Sequence, residues 1–248
     1  MLDLAIIGGT GLTTLKNLKI TRREVKRTPY GEPSAPLVIG DLGGKEIAFL
    51  PRHGHGHTIP PHMVNYQANI WAIHEMGIKN IIAIAAVGGI DEKLMPGQLV
   101  FPDQIIDYTW SRQHTFFEQD LLEVTHIDFT NPYSEKLRSQ LIKAANKLQL
   151  NAGEKGVYGA TQGPRLETAA EVDRLERDGC SIVGMTGMPE AALARELDLD
   201  YASCTVIANR AAGRGDGSAI TMDEIQQNVT NGMSAVRKLL ETVIPMLP

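Results

Sequence analysis

The sequence predicts a single α/β domain, a three-layer sandwich in which helices cover both faces of a mixed central sheet. Short apolar segments alternate along the chain with stretches of helical spacing. Most of the apolar segments lack the polar alternation of a half-exposed strand, which indicates burial on both faces. No internal repeat and no low-complexity linker divides residues 1–248, so we expect one domain.

Strands are predicted where apolar runs are bounded by glycine or polar residues. These runs are residues 3–8, 45–50, 80–87, 97–101, 155–161, 181–184 and 201–208. Helices are predicted where apolar residues recur every three to four positions. These stretches are residues 61–76, 133–148, 168–178, 189–197 and 221–243. Ser134 and Thr168 are suitable N-caps, and Pro189 suits N1, the first helical position. The polar segments 103–132 and 209–219 have no periodicity, and loops of that length are usually functional or interfacial.

Composition narrows the class of protein. With 248 residues, of which 43% are hydrophobic, the chain can bury a large core, and no apolar run is long enough to cross a bilayer. Residues 1–7 lack the basic stretch of a signal peptide, so a cytoplasmic protein without a membrane partner is expected. A formal charge of -5 without a basic stripe disfavours nucleic acid as a partner. Cys180 and Cys204 lack CxxC spacing, which excludes a disulfide scaffold and a cysteine zinc site.

A glycine-rich turn, GGTG at residues 8–11, follows the first predicted strand. It suits an anion because glycines let backbone N–H groups converge and Thr10 adds a hydroxyl. The turn lacks the lysine of a P-loop, and Thr14 stands where a dinucleotide fingerprint has its third glycine. A tight strand-to-helix turn without a ligand explains the segment equally well.

Arg52 and three histidines, His53, His55 and His57, follow the strand predicted at 45–50. Histidines at a spacing of two suggest a metal site, but no acidic ligand lies nearby and the intervening glycines suggest a loop. An arginine beside a histidine at a strand end more naturally binds an oxyanion, with His53 as a second donor. Solvated loop residues are the remaining alternative.

Three further segments lie at the ends of predicted strands. The small residues AAVGG at 85–89 either admit a ligand to the main chain or are a packing device. The segments 161–168 (TQGPRLET) and 184–190 (GMTGMPE) each lie between a strand and a helix, where open α/β sheets place ligands. Their acids, Glu167 and Glu190, are either site residues or ordinary acids of a first helical turn.

Taken together, these segments resemble the trimeric purine nucleoside phosphorylase family, in the branch of the methylthioadenosine and S-methyl-5'-thioinosine phosphorylases. The matching segments span nearly the whole chain in family order, namely IIGGTGL, PRHGHGHTIPPHMVNYQANIWA, AAVGGI, PGQLVFPDQIIDYT, GPRLETAAE, GMTGMPEAALARE and VIANRAAG. The resemblance implies a single-domain α/β fold, a homotrimer, no metal and no organic cofactor. It also implies that inorganic phosphate, a co-substrate, cleaves a purine nucleoside into the free base and a ribose-1-phosphate-type sugar.

The resemblance assigns phosphate binding to residues from several of these segments, namely Thr10, Arg52, His53, Thr186 and the main chain of Ala86. Met185 is expected at the ribose hydroxyls. Relatives often carry Thr or Asn where this sequence has Ala85, so one phosphate donor is missing or replaced. Phosphate itself attacks C1', so no enzyme nucleophile is needed, and Asn209, Arg52 and His53 are the expected catalytic residues.

Two residues match the positions that read the purine in 6-oxopurine phosphorylases. Glu167 is expected at the N1–H edge, and Asn209 at N7 and O6. Adenine has an acceptor at N1, so a carboxylate there would oppose it. Adenine-specific relatives have Asp at the position of Asn209 and a second Asp at that of Ala211. A 6-oxopurine is therefore the expected base.

The prediction for the 5'-substituent of the sugar depends on Met222. This residue matches a position where relatives that use ordinary nucleosides carry His. Methionine suits a thioether; the alternative is that Met222 is simply an apolar residue at the start of the last helix. His126 matches a residue that relatives supply from the adjacent subunit. S-methyl-5'-thioinosine is thus the expected substrate, with a general 6-oxopurine nucleoside phosphorylase or a methylthioadenosine phosphorylase as alternatives. A nucleosidase that uses water, and a nucleotide-binding scaffold of the same fold, are rivals from other classes.

Overall fold

One eleven-stranded mixed sheet runs through the computed structural model, which describes residues 2–118, 123–215 and 220–247. Its strands are β1 (Leu4–Gly8), β2 (Lys19–Glu24), β3 (Leu37–Leu42), β4 (Lys45–Pro51), β5 (Asn80–Gly89), β6 (Leu99–Val100), β7 (Gln104–Asp107), β8 (Ala152–Gly153), β9 (Val157–Ala160), β10 (Ile182–Gly184) and β11 (Asp200–Arg210). The helices are α1 (Tyr66–Glu75), α2 (Glu135–Lys147), α3 (Ala169–Arg177), α4 (Glu190–Glu196) and α5 (Met222–Val243), with short 3-10 helices at Pro61–Met63 and Ile244–Met246.

The predicted strands and helices are all present near their predicted bounds, and two caps are confirmed. Ser134 accepts from the Leu137 N–H, and Thr168 forms a capping box with Glu171. Pro189 was wrongly predicted at N1: it is the N-cap of α4, one residue earlier. The predicted helix 61–76 is split, because Asn65 caps a new helix that begins at Tyr66.

Four strands were not predicted, namely β2, β3, β7 and β8. β2 exposes nearly all of its residues and carries four charged side chains among six, so neither apolar content nor alternation marks it. β8 is only two residues long, and β7 lies in the segment 103–132 that was predicted to be irregular. These strands extend the sheet away from its centre. β3 is the exception to the weak local pattern, because its residues LVIGDL are mostly apolar and buried.

The sheet divides at its central strand, β5. Along one edge β5 pairs with β11 over nearly its whole length, from Asn80 to Gly89. Along the other edge it pairs with β1 as far as Ala83 and then with β10 at Gly88 and Gly89. Between these two partners, residues 84–87 have no ladder partner on that edge within the described part of the chain. The division leaves main-chain groups at the middle of the sheet open to a ligand.

Both faces of the sheet are covered. One face packs on α2 and α5 through buried residues such as Leu141 and Leu240, and the other packs on α1 and α4 through residues such as Ile70 and Leu193. This arrangement confirms the predicted three-layer sandwich with a mixed sheet. None of the described helices is both long and apolar enough to span a membrane.

Helix α5 crosses β11 closely at Gly232, where an added Cβ would overlap Cγ1 of Val206. We expect Gly232→Ala to lower the free energy of unfolding by up to about 2 kcal/mol in urea denaturation. Overpacking against the stiff Val206 costs about 1–3 kcal/mol, which exceeds the gain of about 1 kcal/mol in helix propensity. The exposed Ser234→Ala on the same helix is the control and should cause no loss; a Gly232→Ala protein as stable as the wild type would contradict the close contact.

Candidate active site

A cavity of about 460 Å³ opens where the sheet divides. Its size is in the range of pockets that bind small molecules. The residues that line it come from the turn after β1, the loop after β4, the end of β5, the segments after β9 and β10, the end of β11 and the start of α5. Every predicted site residue except His126 lies in this lining, namely Thr10, Arg52, His53, Ala86, Glu167, Met185, Thr186, Asn209, Ala211 and Met222.

Arg52 is held in place by the buried carboxylate of Glu190, a residue for which the sequence allowed two interpretations. Nε and Nη2 of Arg52 each donate to one oxygen of Glu190 at 2.7 Å, and Nη1 donates to the Ile84 carbonyl at 2.9 Å. Arg52 is 1% exposed and Glu190 is fully buried. The hydroxyl of Tyr201 donates to Glu190 at 2.9 Å. Glu190 is therefore no ordinary first-turn acid: it orients the guanidinium that lines the cavity.

Arg52 remains positively charged despite its burial. Burial by itself lowers the pKa of Arg52, and the charge and hydrogen bonds of Glu190 more than offset it, so this pKa is raised above its ordinary value. Nη1 and Nη2 each carry a second N–H for which no acceptor is found among the described residues. These two N–H groups are the donors left for an anion in the cavity.

Main-chain groups of β5 complete this end of the cavity. Main-chain groups of alternate strand residues point to the same edge, so Ala86 faces the edge on which the Ile84 carbonyl meets Arg52. Gly9 lies against the same carbonyl, where a Cβ would overlap it. An anion in the cavity can therefore reach the main chain of Ala86, which is the contact predicted from the sequence.

The three histidines after β4 diverge. His53 is buried and lines the cavity, His57 lines it while largely exposed, and His55 points to solvent. Nδ1 of His53 lies 2.8 Å from the Ile59 carbonyl oxygen, and the hydroxyl of Thr10 lies 3.5 Å from Nε2 of His57. Burial and the charge of Arg52 lower the pKa of His53 to about 4, and burial lowers that of His57. Within the described residues, no three His, Cys, Asp or Glu side chains are grouped so that they would hold a metal ion.

A residue that the motifs did not reveal, Arg112, joins the two loops above β9 and β10. It is 9% exposed and donates to the carbonyls of Thr161, Gln162, Met185 and Met188, at 2.6–3.2 Å. It therefore fixes the main chain on both sides of Thr186. Its only signal in the sequence was its place in the irregular segment 103–132, which carries an arginine among aromatic residues.

Besides the groups around Arg52, the cavity is lined by the amide of Asn209 and the carboxylate of Glu167. A register shift in β11 between Ile207 and Asn209 adds a residue to the strand, a bulge of the kind often found beside active sites. Asn209 is 7% exposed, and its Nδ2 donates one hydrogen bond to the Arg210 carbonyl. Glu167 accepts from the Thr161 hydroxyl at 2.6 Å, which leaves its other oxygen for a ligand.

One corner of the cavity, at Met222, is open to solvent. Met222, the first residue of α5, is 72% exposed although it lines the cavity. His126 is exposed and lies outside the cavity of its own chain. Part of the segment 209–219, residues 216–219, lies outside the described residues.

The Arg52–Glu190 pair should dominate the stability of this region. We expect Glu190→Gln to lower the free energy of unfolding by about 3–5 kcal/mol, because it leaves a buried arginine without its counter-charge. Tyr201→Phe removes one hydrogen bond and should cost about 1–2 kcal/mol. Urea denaturation measures both. Lys136→Gln, which breaks an exposed pair with Asp200, is the control and should have almost no effect; an equally mild Glu190→Gln would refute the role of the pair.

Comparisons with known proteins identify the family and agree with the fold. The phosphorylase superfamily matches residues 3–245. The chain is 55% identical to the probable S-methyl-5'-thioinosine phosphorylase of Pseudomonas syringae pv. tomato over 240 residues, 97% of each chain. It is 43% identical to the 6-oxopurine nucleoside phosphorylase of Pyrococcus furiosus over 250 residues, 99% of this chain and 93% of that one. Methylthioadenosine phosphorylase from Schistosoma mansoni, in complex with adenine, superposes with a TM-score of 0.95 at 32% identity, over 99% of this chain and 92% of that one. These matches confirm the resemblance found in the motifs: the chain belongs to the phosphorylase superfamily.

Proposed function

We propose that this protein is a purine nucleoside phosphorylase whose preferred substrate is S-methyl-5'-thioinosine. Phosphate attacks C1' of the sugar, the bond from C1' to N9 of the purine breaks, and the bonding electrons leave with the base. The proton of hydrogenphosphate finally resides on the base, so the products are hypoxanthine and S-methyl-5-thioribose 1-phosphate. The observation that carries the proposal is that a single cavity is lined by Arg52, which has two N–H groups without an acceptor among the described residues, and by Glu167 and Asn209.

The phosphate end of the cavity combines several donors around Arg52. The hydroxyls of Thr10 and Thr186 and the main chain of Ala86 line the same pocket. Such preorganised donors stabilise a dianion without reorganisation during the reaction. Holding phosphate in line with C1' supplies much of the rate enhancement, so the reaction needs no metal and no organic cofactor.

The base end favours a 6-oxopurine. The free oxygen of Glu167 accepts from N1–H of hypoxanthine, and the second N–H of the Asn209 amide donates to N7 or O6. Hydrogen bonding at N7 stabilises the negative charge that grows on the departing purine. Met185 lines the same cavity and contacts the ribose hydroxyls in this proposal.

The methylthio group fits the open corner at Met222, which offers an adaptable apolar surface and only a weak acceptor. The exposure of Met222 supports a homotrimer in which His126 of a neighbouring subunit covers this corner. We further propose that the enzyme acts in the cytoplasm, on a free nucleoside. The second candidate is a general 6-oxopurine nucleoside phosphorylase, which is favoured by the same base-reading pair and by the similarity to the Pyrococcus furiosus protein.

A panel of nucleosides, each tested with and without phosphate, decides between these functions. We expect base release to require phosphate, and S-methyl-5'-thioinosine to exceed inosine about tenfold in kcat/KM, since a buried methylthio group gains about 1–2 kcal/mol over a hydroxyl without a partner. Met222→His should narrow this difference, and the control Met222→Leu should keep it. Equal efficiencies for the two substrates, unchanged in Met222→His, would leave the general 6-oxopurine enzyme. Base release without phosphate would identify a nucleosidase.

The base assignment is tested by Asn209→Asp. We expect kcat/KM for the 6-oxopurine nucleosides to fall about ten- to a hundredfold, because a carboxylate then faces N7 and O6, both of which are acceptors. Activity towards adenosine should rise only slightly, since Glu167 still opposes adenine N1. A wild-type enzyme that prefers methylthioadenosine to S-methyl-5'-thioinosine would overturn the assignment.

A further inference from the structure

We propose that His53 makes the phosphate site selective for an anion that still carries a proton: Nε2 of His53 accepts a hydrogen bond from the P–O–H group of hydrogenphosphate. This inference rests on the proposed function, because it concerns the bound form of its co-substrate. It also changes the role expected from the sequence, where His53 was a second donor to the anion.

The geometry of the loop after β4 determines which ring nitrogen carries the proton. Nδ1 of His53 lies 2.8 Å from the main-chain oxygen of Ile59, and a carbonyl oxygen only accepts. Nδ1 therefore donates, and in the neutral ring Nε2 has a lone pair and no hydrogen. The loop is closed on the same residue, because the N–H groups of Thr58 and Ile59 both donate to the main-chain oxygen of His53. A flipped ring would lose its bond to Ile59, so the orientation is fixed.

The surroundings of His53 keep the ring neutral in the empty site. Two side chains with ionisable groups face it: Arg52, which is positively charged, and His57, whose ring centroid lies 4.7 Å away. Neither favours an imidazolium, and the nearby carboxylate of Glu190 is already engaged by Arg52 and Tyr201. Burial and the charge of Arg52 lower the pKa of His53 to about 4. No carboxylate among the described residues forms an ion pair with His53.

The other groups at this end of the cavity act mainly as donors: the N–H groups of Arg52, the hydroxyls of Thr10 and Thr186, and the main-chain N–H of Ala86. Hydrogenphosphate has three oxygens that accept and one hydroxyl that donates, and so it satisfies these donors together with the one acceptor, Nε2. Sulfate has the same charge and shape but no hydrogen. Its fourth oxygen would face the lone pair of Nε2, and an unmatched polar contact of that kind costs about ten- to a hundredfold in affinity.

The test is equilibrium binding of inorganic phosphate and of sulfate at about pH 8, where phosphate is mainly the dianion. We expect the wild-type protein to bind phosphate at least about tenfold more tightly than sulfate. In His53→Leu the ratio should fall to about threefold or less, because the opposing lone pair is gone. His53→Gln, whose amide presents either a donor or an acceptor, should show the same loss of selectivity and serves if the leucine variant does not fold. His55→Leu, in the same loop but outside the cavity, is the control and should keep the wild-type ratio.

Nitrogen-15 NMR of the phosphate complex gives a direct second readout. We expect His53 to show one protonated and one unprotonated ring nitrogen, with Nε2 unprotonated. A doubly protonated ring would mean that the bound dianion has drawn a proton onto His53, which would overturn the inference. Equal affinities for phosphate and sulfate in the wild type would also overturn it, as would selectivity that survives both His53 substitutions.

Failure of this inference is distinguishable from failure of the proposed function. Phosphate-dependent base release together with equal binding of the two anions would remove only the role of His53. Base release that is independent of phosphate, with no binding of either anion, would remove the proposed function and the inference with it.

Discussion

The ion pair between Arg52 and Glu190 is the interaction on which the site depends. It joins the end of β4 to the start of α4 across the division of the sheet, and both side chains are buried. Buried charges persist only when they are paired and hydrogen bonded, and Tyr201 and the Ile84 carbonyl provide the additional bonds. Because the pair is neutral overall, an anion in the cavity relies on directed N–H and O–H groups as much as on net charge.

The division of the sheet at β5 explains why the cavity lies where it does. Where β1 ends and β10 begins, a central strand has an edge without a ladder partner among the described residues, and buried main-chain groups need hydrogen bonds. Arg52 meets one of these groups, and a ligand can meet others. Arg112 serves the neighbouring loops in the same way, by donating to four carbonyls that would otherwise lack partners. Two arginines thus support an irregular region inside a regular sheet.

The chemistry of the cavity is divided between its ends. Donors gather near Arg52, while Glu167 and the Asn209 amide offer a mixed pattern that matches the edge of a purine with an oxygen at C6. His53 is the exception at the phosphate end, because its bond to Ile59 turns it into an acceptor. The proposed pair of ligands, phosphate and a nucleoside, combines an anion with a heterocycle in the same way. The exposed Met222 leaves one corner of the cavity open in the single chain.

The sequence by itself determined the central strands of the sheet, the helices that cover it, two helix caps, and ten of the residues that line the cavity. It did so because periodicity and capping are local, and because motifs that follow parallel strands converge at one edge of a sheet. Only the tertiary structure decided which groups these side chains bond to. Glu190 lies 138 residues from Arg52, and Arg112 reaches carbonyls 49 to 76 residues away. The donor or acceptor role of His53 depends on which carbonyl its ring meets, and residue spacing does not encode which main-chain oxygen a folded loop turns towards a side chain.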